Sequence, residues 1–563
     1  MTKSNKYDNY TKDELIDELE TLKKKKYGLV WDKKNSQEIL DAFVNWENVP
    51  ENFVPKQFPV LKEIKNKEIK TDKTKPVNLL IEGDNYHSLA VLNFTHQSKI
   101  DLIYIDPPYN TGNEDFIYND KFIDKEDPYR HSKWLSFMDK RLRLALGLLK
   151  DTGAIFISID DNEQAQLRLL CDEIFGEQNF VSTIIWQRAY SPKNQSRHIS
   201  IDHEYILVYA KDIEHLNVRL LPRTDKMNAR YKNPDNDPRG VWKPGDIVAN
   251  EERKTGHYII TGPKGDKFDA PAGKHWSYAQ DNMLELQKDN RLYFGKNGNA
   301  FPSLKQFLDE VQQGRKASTL FFHEEVGHND EAKKELKDFF EQSDDLFSTP
   351  KPTRLIKQIL RLIGDKNAVV LDFMAGSGTT GQAVLALNDE DRGERSFILC
   401  TNNGDEKAEH KIASDICYPR IKKSILGYKK TKGDTEKGLG GNLKYFKTDF
   451  VGSDANDKNK RDLVKQSTEM ICIKEDVFDL MIDEGFDFKI YQKGKKFLGI
   501  VFDMSMLEAF KKEAEKHIGD FSVYCFSYNE TTPDKEFVGL KNKYTFKPIP
   551  AVILKVYLEI FKK

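Results

Sequence analysis

The sequence predicts an α/β fold, and three observations point to it. Short apolar runs alternate with helical patterns between residues 77 and 209, as in a sheet covered by helices. One apolar run, 100–105, ends in Asp106-Pro107-Pro108-Tyr109. Another, 369–372, continues through a glycine turn into the helical pattern 382–387, which is typical of a strand, a tight turn and a helix.

The chain begins with a capping box at Thr11 and Glu14, which predicts an N-terminal helix that ends near the basic run 23–26. Residues 32–77 are polar and interrupted by prolines, so we expect them to drape over the following domain. Apolar runs predict the strands of the first α/β region at 79–81, 101–105, 154–159, 183–186 and 205–209.

The Asp-Pro-Pro-Tyr motif predicts a clamp for an amine. Consecutive prolines fix φ and donate no N–H, so the turn offers the Asp106 carboxylate and the Pro107 carbonyl as acceptors. Two acceptors on the hydrogens of a nucleobase amine would pull its nitrogen toward a pyramidal, nucleophilic geometry. Tyr109 would stack on the same base, a contact worth about 1–3 kcal/mol. An ordinary strand-ending turn is the alternative interpretation.

The glycine turn after residue 371 predicts a cofactor site. Gly376 and Gly378 would let a ligand approach the backbone, while Asp372 at the strand tip could accept from an ammonium or hydroxyl group. The turn lacks the Gly-Lys-Ser/Thr of a P-loop and the spacing of a dinucleotide fingerprint. A nucleoside triphosphate is therefore disfavoured as the ligand.

Together the two motifs resemble those of the DNA amino-methyltransferases that use S-adenosylmethionine, and the order with the catalytic motif first is that of their β class. The runs 78–85, 132–138, 153–163 and 203–209 look like the modification subunits of type III restriction systems. This resemblance covers residues 27 to 430 and is fainter beyond them. It implies a Rossmann-like methyltransferase fold with circularly permuted motifs and S-adenosyl-L-methionine as cofactor. It further implies adenine N6 in double-stranded DNA as the target, a homodimer, and a possible helicase-nuclease restriction subunit as partner.

The resemblance also assigns site residues. Catalysis falls to Asp106, Pro107, Pro108 and Tyr109. Cofactor binding falls to Asp84, Phe347, Thr349, Lys351, Asp372, Phe373, Ala375, Gly376, Ser377, Gly378, Thr379 and Asn402. Asp84 as a plain turn residue and Lys351 as a solvated lysine at a helix start are the alternatives. Strand 396–401 ends in an amide pair where many nucleoside-binding folds place a carboxylate, so the ligand of the ribose stays open.

Residues 212–340 interrupt the α/β pattern and are rich in Gly, Pro, Asn and aromatic residues. Long irregular segments inside a compact chain are usually functional or disordered. The β class places its target-recognition domain between the catalytic and cofactor halves, where this insert lies. A scaffold or dimerisation element is the alternative interpretation. The insert's proposed DNA contacts are Arg223, Arg230, Arg239, Lys243, Arg253, Lys254 and Lys274.

The composition limits the partners and the compartment. The net charge is −2, from 88 basic and 90 acidic residues, so any DNA surface must be local. The five cysteines show no C-x-x-C spacing, which favours a reducing compartment and argues against structural zinc. The sequence shows no apolar signal region and no apolar run of about 18 residues. We therefore expect a cytoplasmic protein.

These features predict five segments. They are an N-terminal helix and extension (1–76), the catalytic half of the methyltransferase (77–211), the target-recognition domain (212–340), the cofactor half (341–434), and a C-terminal α+β domain for dimerisation or partner docking (435–563). Neither a P-loop nor a nuclease cluster of carboxylates and lysine is recognisable, so restriction would need the partner subunit.

Several rival functions can be weighed from the sequence. A cytosine-C5 methyltransferase needs a nucleophilic cysteine after proline, and no Pro-Cys pair occurs. Cytosine-N4 methyltransferases use the same clamp, usually with Ser in place of Asp, so Asp106 favours adenine. A solitary epigenetic methyltransferase, a protein or RNA methyltransferase, and a DNA-recognition subunit with a relic active site remain as alternatives. None of the methyl-transfer readings needs a metal.

Overall fold

The computed structural model describes most of the chain. The described residues are 11–12, 15–16, 29–32, 57–112, 116–118, 121–192, 196–250, 256–340, 347–404, 410–430, 433–453, 457–527 and 529–561. Most of the predicted N-terminal helix, together with Arg253 and Lys254, lies outside them.

A ten-stranded sheet belongs to the larger of two compact units, which comprises residues 1–218 and 318–563. In chain order its strands are β1 (Gln57–Glu63), β2 (Val77–Glu82), β3 (Ile100–Ile105), β4 (Leu149–Ile159), β5 (Phe180–Gln187), β6 (His203–Ala210), β7 (Leu320–Phe321), β8 (Val369–Asp372), β9 (Ser396–Thr401) and β10 (Asn442–Gly452). Across the sheet the order is β1-β10-β2-β9-β8-β3-β4-β6-β5-β7. Neighbours from β10 to β4 run parallel, and β6 is antiparallel to β4 and β5. The predicted α/β class is confirmed, and each strand predicted in the first α/β region is present.

The parallel strands are apolar along their length because helices pack against the sheet. In β3, for example, Ile100, Leu102, Ile103 and Ile105 are all buried. The helices that accompany the sheet are α1 (Asn85–Thr95), α2 (Arg130–Leu148), α3 (Gln164–Cys171), α4 (Thr353–Ile363), α5 (Thr379–Asp391) and α6 (Tyr418–Leu426). Among the described residues, no helix combines the length and apolar character that crossing a membrane requires.

The sheet places its polar strand ends together. Because β2, β9, β8 and β3 are consecutive and parallel, their carboxyl ends lie along one edge. Glu82, Asp372 and Asp106 stand at or just after three of these ends. Ligands of open α/β sheets bind at this edge, and both sequence motifs therefore meet there.

The positions of β1 and β10 in the sheet differ from the predicted segments. β1 was expected to be part of a draped extension, and β10 was assigned to the C-terminal domain. Instead β1 pairs with β10 along its whole length, and β10 pairs with β2. The ten-stranded sheet therefore extends across the predicted boundaries at 76 and 434.

The remaining C-terminal part forms a five-stranded sheet with helices, as the α+β prediction has it. Its strands, which are adjacent in chain order, are β11 (Asp479–Asp483), β12 (Phe488–Lys493), β13 (Lys496–Val501), β14 (Asp520–Phe526) and β15 (Lys543–Ile549). Its helices are α7 (Asp457–Gln466), α8 (Thr468–Glu475), α9 (Leu507–Ala514) and α10 (Ala551–Phe561). Tyr557 of α10 stacks on Phe58 of β1, with ring centroids 5.3 Å apart. The five cysteines of the chain are all buried and free.

The smaller compact unit comprises Arg219–Ala317. Its strands are Trp242–Gly245, Val248–Ala249, Ile260–Thr261, Lys267–Phe268, His275–Trp276, Leu292–Tyr293 and Ser303–Phe307, and its helices are Asp225–Asn228 and Gln280–Lys288. Ile247, Trp276 and Phe294 belong to its own buried core. The unit is shorter than the predicted insert of 212–340, because β7 joins the large sheet and Arg354 of α4 pairs with Glu331 at 2.6 Å.

Candidate active site

Asp106 begins a compact polar cluster at the end of β3. Both of its carboxylate oxygens lie 2.7 Å from Nζ of Lys351. The hydroxyl of Tyr109 donates to Asp106 Oδ1 over 2.9 Å and also lies 3.0 Å from Oε2 of Glu204. Glu204 in turn lies 3.5 Å from Lys351 Nζ. Two carboxylates thus share one ammonium and one phenol.

The charges of this cluster depend on burial. The side chains of Lys351 and Glu204 are only 6% and 4% exposed. Burial raises the pKa of Asp106, and the nearby Glu204 carboxylate adds to this, against the opposing effect of Lys351. Although burial disfavours its charge, Asp106 and Glu204 together raise the pKa of the Lys351 ammonium. Lys351 is therefore a buried cation at neutral pH.

Glu204 is a site residue that the sequence analysis did not single out. It lies on β6 opposite Trp186 of β5, and its Oε1 atom pairs with Arg188 at 3.3 Å. The ring centroids of Tyr109 and Trp186 lie 5.1 and 5.9 Å from Lys351 Nζ. A charged residue at a buried position of an apolar strand is the sequence signal that would have found Glu204.

The backbone of the motif is held by α2. Nε1 of the buried Trp134 donates to the Pro108 carbonyl over 2.7 Å, so this carbonyl is engaged within the protein. The Pro107 carbonyl remains as the acceptor that the sequence assigned to the target amine. Below the motif, Tyr104 and Ser158 share a hydrogen bond of 2.8 Å between β3 and β4.

The glycine turn after β8 has the form that its sequence predicts. Gly376 and Gly378 have φ of +48° and +83°, and Gly378 precedes the first residue of α5. Asp372 accepts from Met374 N over 3.0 Å and from the Thr380 hydroxyl over 2.5 Å. Burial raises the pKa of Asp372 to about 7, and the nearby Asp106 adds to the effect.

Several side chains predicted to bind the cofactor have protein partners. The buried Arg420 donates to the hydroxyls of Ser377 and Thr379 over 2.9 and 2.8 Å. Phe373 is fully buried in the core. Phe347 lies over the turn, where a Cβ placed on Gly376 would come within 2.8 Å of its ring. For Phe373, Ala375, Ser377 and Thr379, the part that a ligand can contact is therefore the backbone of the turn.

The other predicted cofactor residues are divided between the ends of β2 and β9 and the segment before α4. Asp84 caps α1 by accepting from Tyr86 N over 2.7 Å, and it pairs with the buried Arg141 at 3.3 Å. Asn402 and Thr349 are exposed, on two different segments. Asn403 donates to Glu82 over 2.8 Å, so one member of the amide pair meets a carboxylate of β2 beside β9. Lys351 lies in the Asp106 cluster described above.

One buried carboxylate at the strand-end edge has no cationic partner among the described residues. Asp106 and Glu204 pair with Lys351 and Arg188, whereas Asp372 accepts only from Met374 N and the Thr380 hydroxyl. S-adenosylmethionine carries a sulfonium and an ammonium, and a buried carboxylate such as that of Asp372 would stabilise either charge. The half-buried backbone at Gly376 and the Asp372 carboxylate therefore fit this cofactor.

The region that contains this site matches a known protein family. The sequence model of the family described as DNA methylase matches residues 100–412, which include Asp106, Glu204, Lys351 and Asp372. The chain belongs to the DNA methylase family.

Three curated relatives of the chain are Mod subunits of type III restriction-modification enzymes. This DNA methylase is 35% identical to the Mod subunit of the type III restriction-modification enzyme StyLTI of Salmonella typhimurium, over 81% of this chain and 74% of that one. The EcoP15I Mod subunit of Escherichia coli is 31% identical over 67% and 64% of the two chains. The EcoPI Mod subunit of Escherichia phage P1 is 33% identical over 71% and 67%. The predicted resemblance to Mod subunits is confirmed.

Within the smaller unit of the DNA methylase, the predicted DNA contacts differ in their availability. The Arg239 guanidinium is used within the protein, because it pairs with Asp237 at 2.9 Å and with Asp289 at 3.0 Å. Arg223 donates to Asn228 over 2.9 Å. Arg230 is exposed and lines a pocket of about 320 Å³ with Trp242. Lys243 lies 5.7 Å from the centroid of the Tyr231 ring, and Lys274 is half-buried.

Proposed function

We propose that this protein is the modification subunit of a type III restriction-modification system. It transfers a methyl group from S-adenosyl-L-methionine to N6 of adenine in double-stranded DNA. The observation that supports the reaction best is the Asp106 cluster, in which a carboxylate at the strand end already holds a nitrogen donor at 2.7 Å. The proposed roles are amine binding by Asp106 and the Pro107 carbonyl, and base stacking by Tyr109.

The proposed reaction does not require a strong acid or a strong base from the protein. Bound S-adenosylmethionine supplies an electrophilic methyl group on its sulfonium. Asp106 accepts a hydrogen bond from the target amine, orients its nitrogen toward the methyl donor and stabilises the positive charge that develops on it. The N6 proton becomes acidic only after transfer, so a carboxylate can accept it. The target adenine has to leave the duplex to reach a strand-end site, at a cost of a few kcal/mol.

In the structure, the Lys351 ammonium occupies the position beside Asp106 that is proposed for the target amine. Its ammonium contacts both oxygens of Asp106, so the entering amine has to displace it from at least one of them. Glu204, at 3.5 Å, can receive the ammonium when this happens. We therefore propose that Lys351 and Glu204 form an exchange pair. The Lys351 ammonium keeps Asp106 ionised before the base binds, and it moves to Glu204 when the base enters.

Lys351→Met tests this role. Without the ammonium, Asp106 and Glu204 face each other as buried acids, and the pKa of Asp106 rises further than in the wild type. We expect kcat at pH 7 to fall about tenfold or more, and to recover as the pH rises and Asp106 ionises. Transfer of tritium from labelled cofactor to DNA between pH 6 and 9 measures both effects.

The matched control for Lys351→Met is Lys366→Met, because Lys366 is exposed on the same unit and donates to the Asp391 carbonyl. Its pH profile should follow that of the wild type. A Lys351→Met profile parallel to the wild-type one would contradict the exchange pair.

Target base and assembly can be measured directly. Nucleosides from methylated DNA should contain N6-methyladenine, whereas N4-methylcytosine would indicate the alternative reaction of the same clamp.

Light scattering of the purified chain tests the proposed homodimer. Cofactor-dependent methylation without any added subunit, and cleavage of unmethylated DNA only when a helicase-nuclease subunit is added, are expected for a type III modification subunit.

Sequence recognition is proposed for the smaller unit, residues 219–317. Replacing this unit with that of a related enzyme should change the methylated sequence and keep adenine N6 as the modified atom, because every proposed chemical residue lies outside it. Modification-sensitive sequencing of methylated DNA gives the readout. A folded chimaera that still methylates the original sequence would refute the assignment.

A further inference from the structure

A second polar cluster lies directly behind the catalytic motif. Asn110 follows Tyr109, is fully buried, and has φ of +57°. Its Nδ2 atom donates to Oε1 of Glu163 over 2.5 Å and lies 3.3 Å from the Arg130 carbonyl at the start of α2. Asn110 therefore ties the end of the catalytic turn to two other elements.

Glu163 occupies the turn between β4 and α3, and its side chain is fully buried. The Oε1 atom that accepts from Asn110 also lies 2.7 Å from Nδ1 of His131. Nε of Arg130 donates to Nε2 of His131 over 3.2 Å. Because Nε2 accepts, the imidazole proton is on Nδ1, and a neutral His131 donates to Glu163.

The surroundings of Glu163 contain little compensating charge. Arg130 and His131 face it from α2, Asp160 from its own turn, and Asn110 from the catalytic segment. The Arg130 Nε atom donates to the neutral His131, and the Asp160 carboxylate repels a second anion. Burial, to which Asp160 adds, raises the pKa of Glu163 to about 8, against the opposing effects of the Asn110 hydrogen bond and the Arg130 charge.

We propose that Glu163, in its uncharged form, is a positioning residue that sets the Asp-Pro-Pro-Tyr turn for methyl transfer by joining Asn110 to His131. The Trp134 contact to Pro108 fixes the middle of the turn, and the Glu163 contact fixes its end. Ionisation of Glu163 places a second buried anion beside Asp160, which Arg130 offsets only in part, and the resulting shift of the Glu163 side chain displaces Asn110, and with it Tyr109. The inference rests on the proposed catalytic roles of Asp106 and Tyr109.

Glu163→Gln is the decisive variant, because glutamine keeps the shape and hydrogen-bond pattern of a protonated glutamate and cannot ionise. Each activity is normalised to its own value at pH 7. With a pKa of about 8, about a tenth of Glu163 is protonated at pH 9. The normalised kcat of the wild type should therefore be about tenfold below that of Glu163→Gln at pH 9, with KM for the cofactor equal in both. A constant ratio from pH 6.5 to 9.5 would overturn the proposal.

A melting experiment keeps the inference independent of the proposed reaction. The folded pKa of Glu163 lies above its unfolded value, so the wild type loses stability as the pH rises from about 4.5 to about 8, and the loss is complete above that pH. The Tm of Glu163→Gln minus that of the wild type should grow between pH 6.5 and 8 and level off by pH 9.5. A pH-independent difference would show that Glu163 does not ionise and would overturn the proposal. If the wild type melts as expected but transfers no methyl group at any pH, the proposed function fails instead.

Asn110→Ala provides a second variant that leaves Glu163 in place. It removes the tie to the turn, so kcat should fall while KM for S-adenosylmethionine stays at the wild-type value. Unchanged kcat in a folded Asn110→Ala protein would also overturn the proposal.

Discussion

Asp106→Ala is expected to reduce methyl transfer by about 10²–10³-fold or more, while the variant still binds S-adenosylmethionine. The substitution removes the acceptor that orients and stabilises the target amine. It takes nothing from the glycine turn after β8, where the cofactor is proposed to lie. Tritium transfer measures the activity, and calorimetry measures cofactor affinity on the same preparation.

The structure adds a second consequence of this substitution. Lys351 would keep Glu204 but lose the two 2.7 Å contacts to Asp106, and removing one partner of a buried ion pair can cost about 3–5 kcal/mol. Melting curves therefore have to accompany the activity. Asp106→Asn keeps an acceptor oxygen and should retain some transfer. Asp151→Ala changes an exposed carboxylate on β4 and serves as the control. Near wild-type transfer by a folded Asp106→Ala protein would refute the role of Asp106.

The parts of the fold that sequence predicted are those set by local pattern. β3, β4 and β8 are apolar runs, and the turns after β3 and β8 carry residues that suit their backbone, such as Gly378 at φ +83°. Local composition also separated the insert, although its compact unit, 219–317, is shorter than predicted.

The pairing of β1 with β10 could not be predicted, because it depends on contacts between segments far apart in the chain. Pro59 in β1 argued for an irregular extension, yet proline is tolerated on an edge strand, and β1 is the outermost strand of the sheet. Lys444 in β10 is buried only because Glu63 of β1 and Glu68 neutralise it. No local pattern reveals such a partner.

The same limit applied to the active site. Asp106 and Tyr109 are adjacent in sequence, and their motif was sufficient to predict them. Glu204 and Lys351 reach the same point from β6 and from the segment before α4. The sequence offered a cofactor role for Lys351, whereas its observed partners are two carboxylates. Roles that depend on which charges meet in a buried site require the three-dimensional arrangement.

The glycine turn gives the second large effect, which is expected for Gly378→Asp. Gly378 has φ of +83°, and a Cβ there would lie 3.0 Å from Sγ of Cys417. The conformation alone disfavours an L-residue by about 1–2 kcal/mol, and the added side chain would have to fit against the buried Cys417. The backbone of the turn would therefore shift, and we expect no measurable S-adenosylmethionine binding by calorimetry.

Backbone strain and loss of the site can be separated with a matched glycine. Gly494, in the turn between β12 and β13, has φ of +60°, and a Cβ there would have no atom within 4 Å. Gly494→Asp therefore carries a similar conformational cost without a clash near the proposed site, and it should bind the cofactor with the wild-type Kd. Gly376→Asp, whose Cβ would meet the Phe347 ring at 2.8 Å, should behave like Gly378→Asp. A wild-type Kd in either Gly376→Asp or Gly378→Asp would mean that the cofactor binds away from this turn.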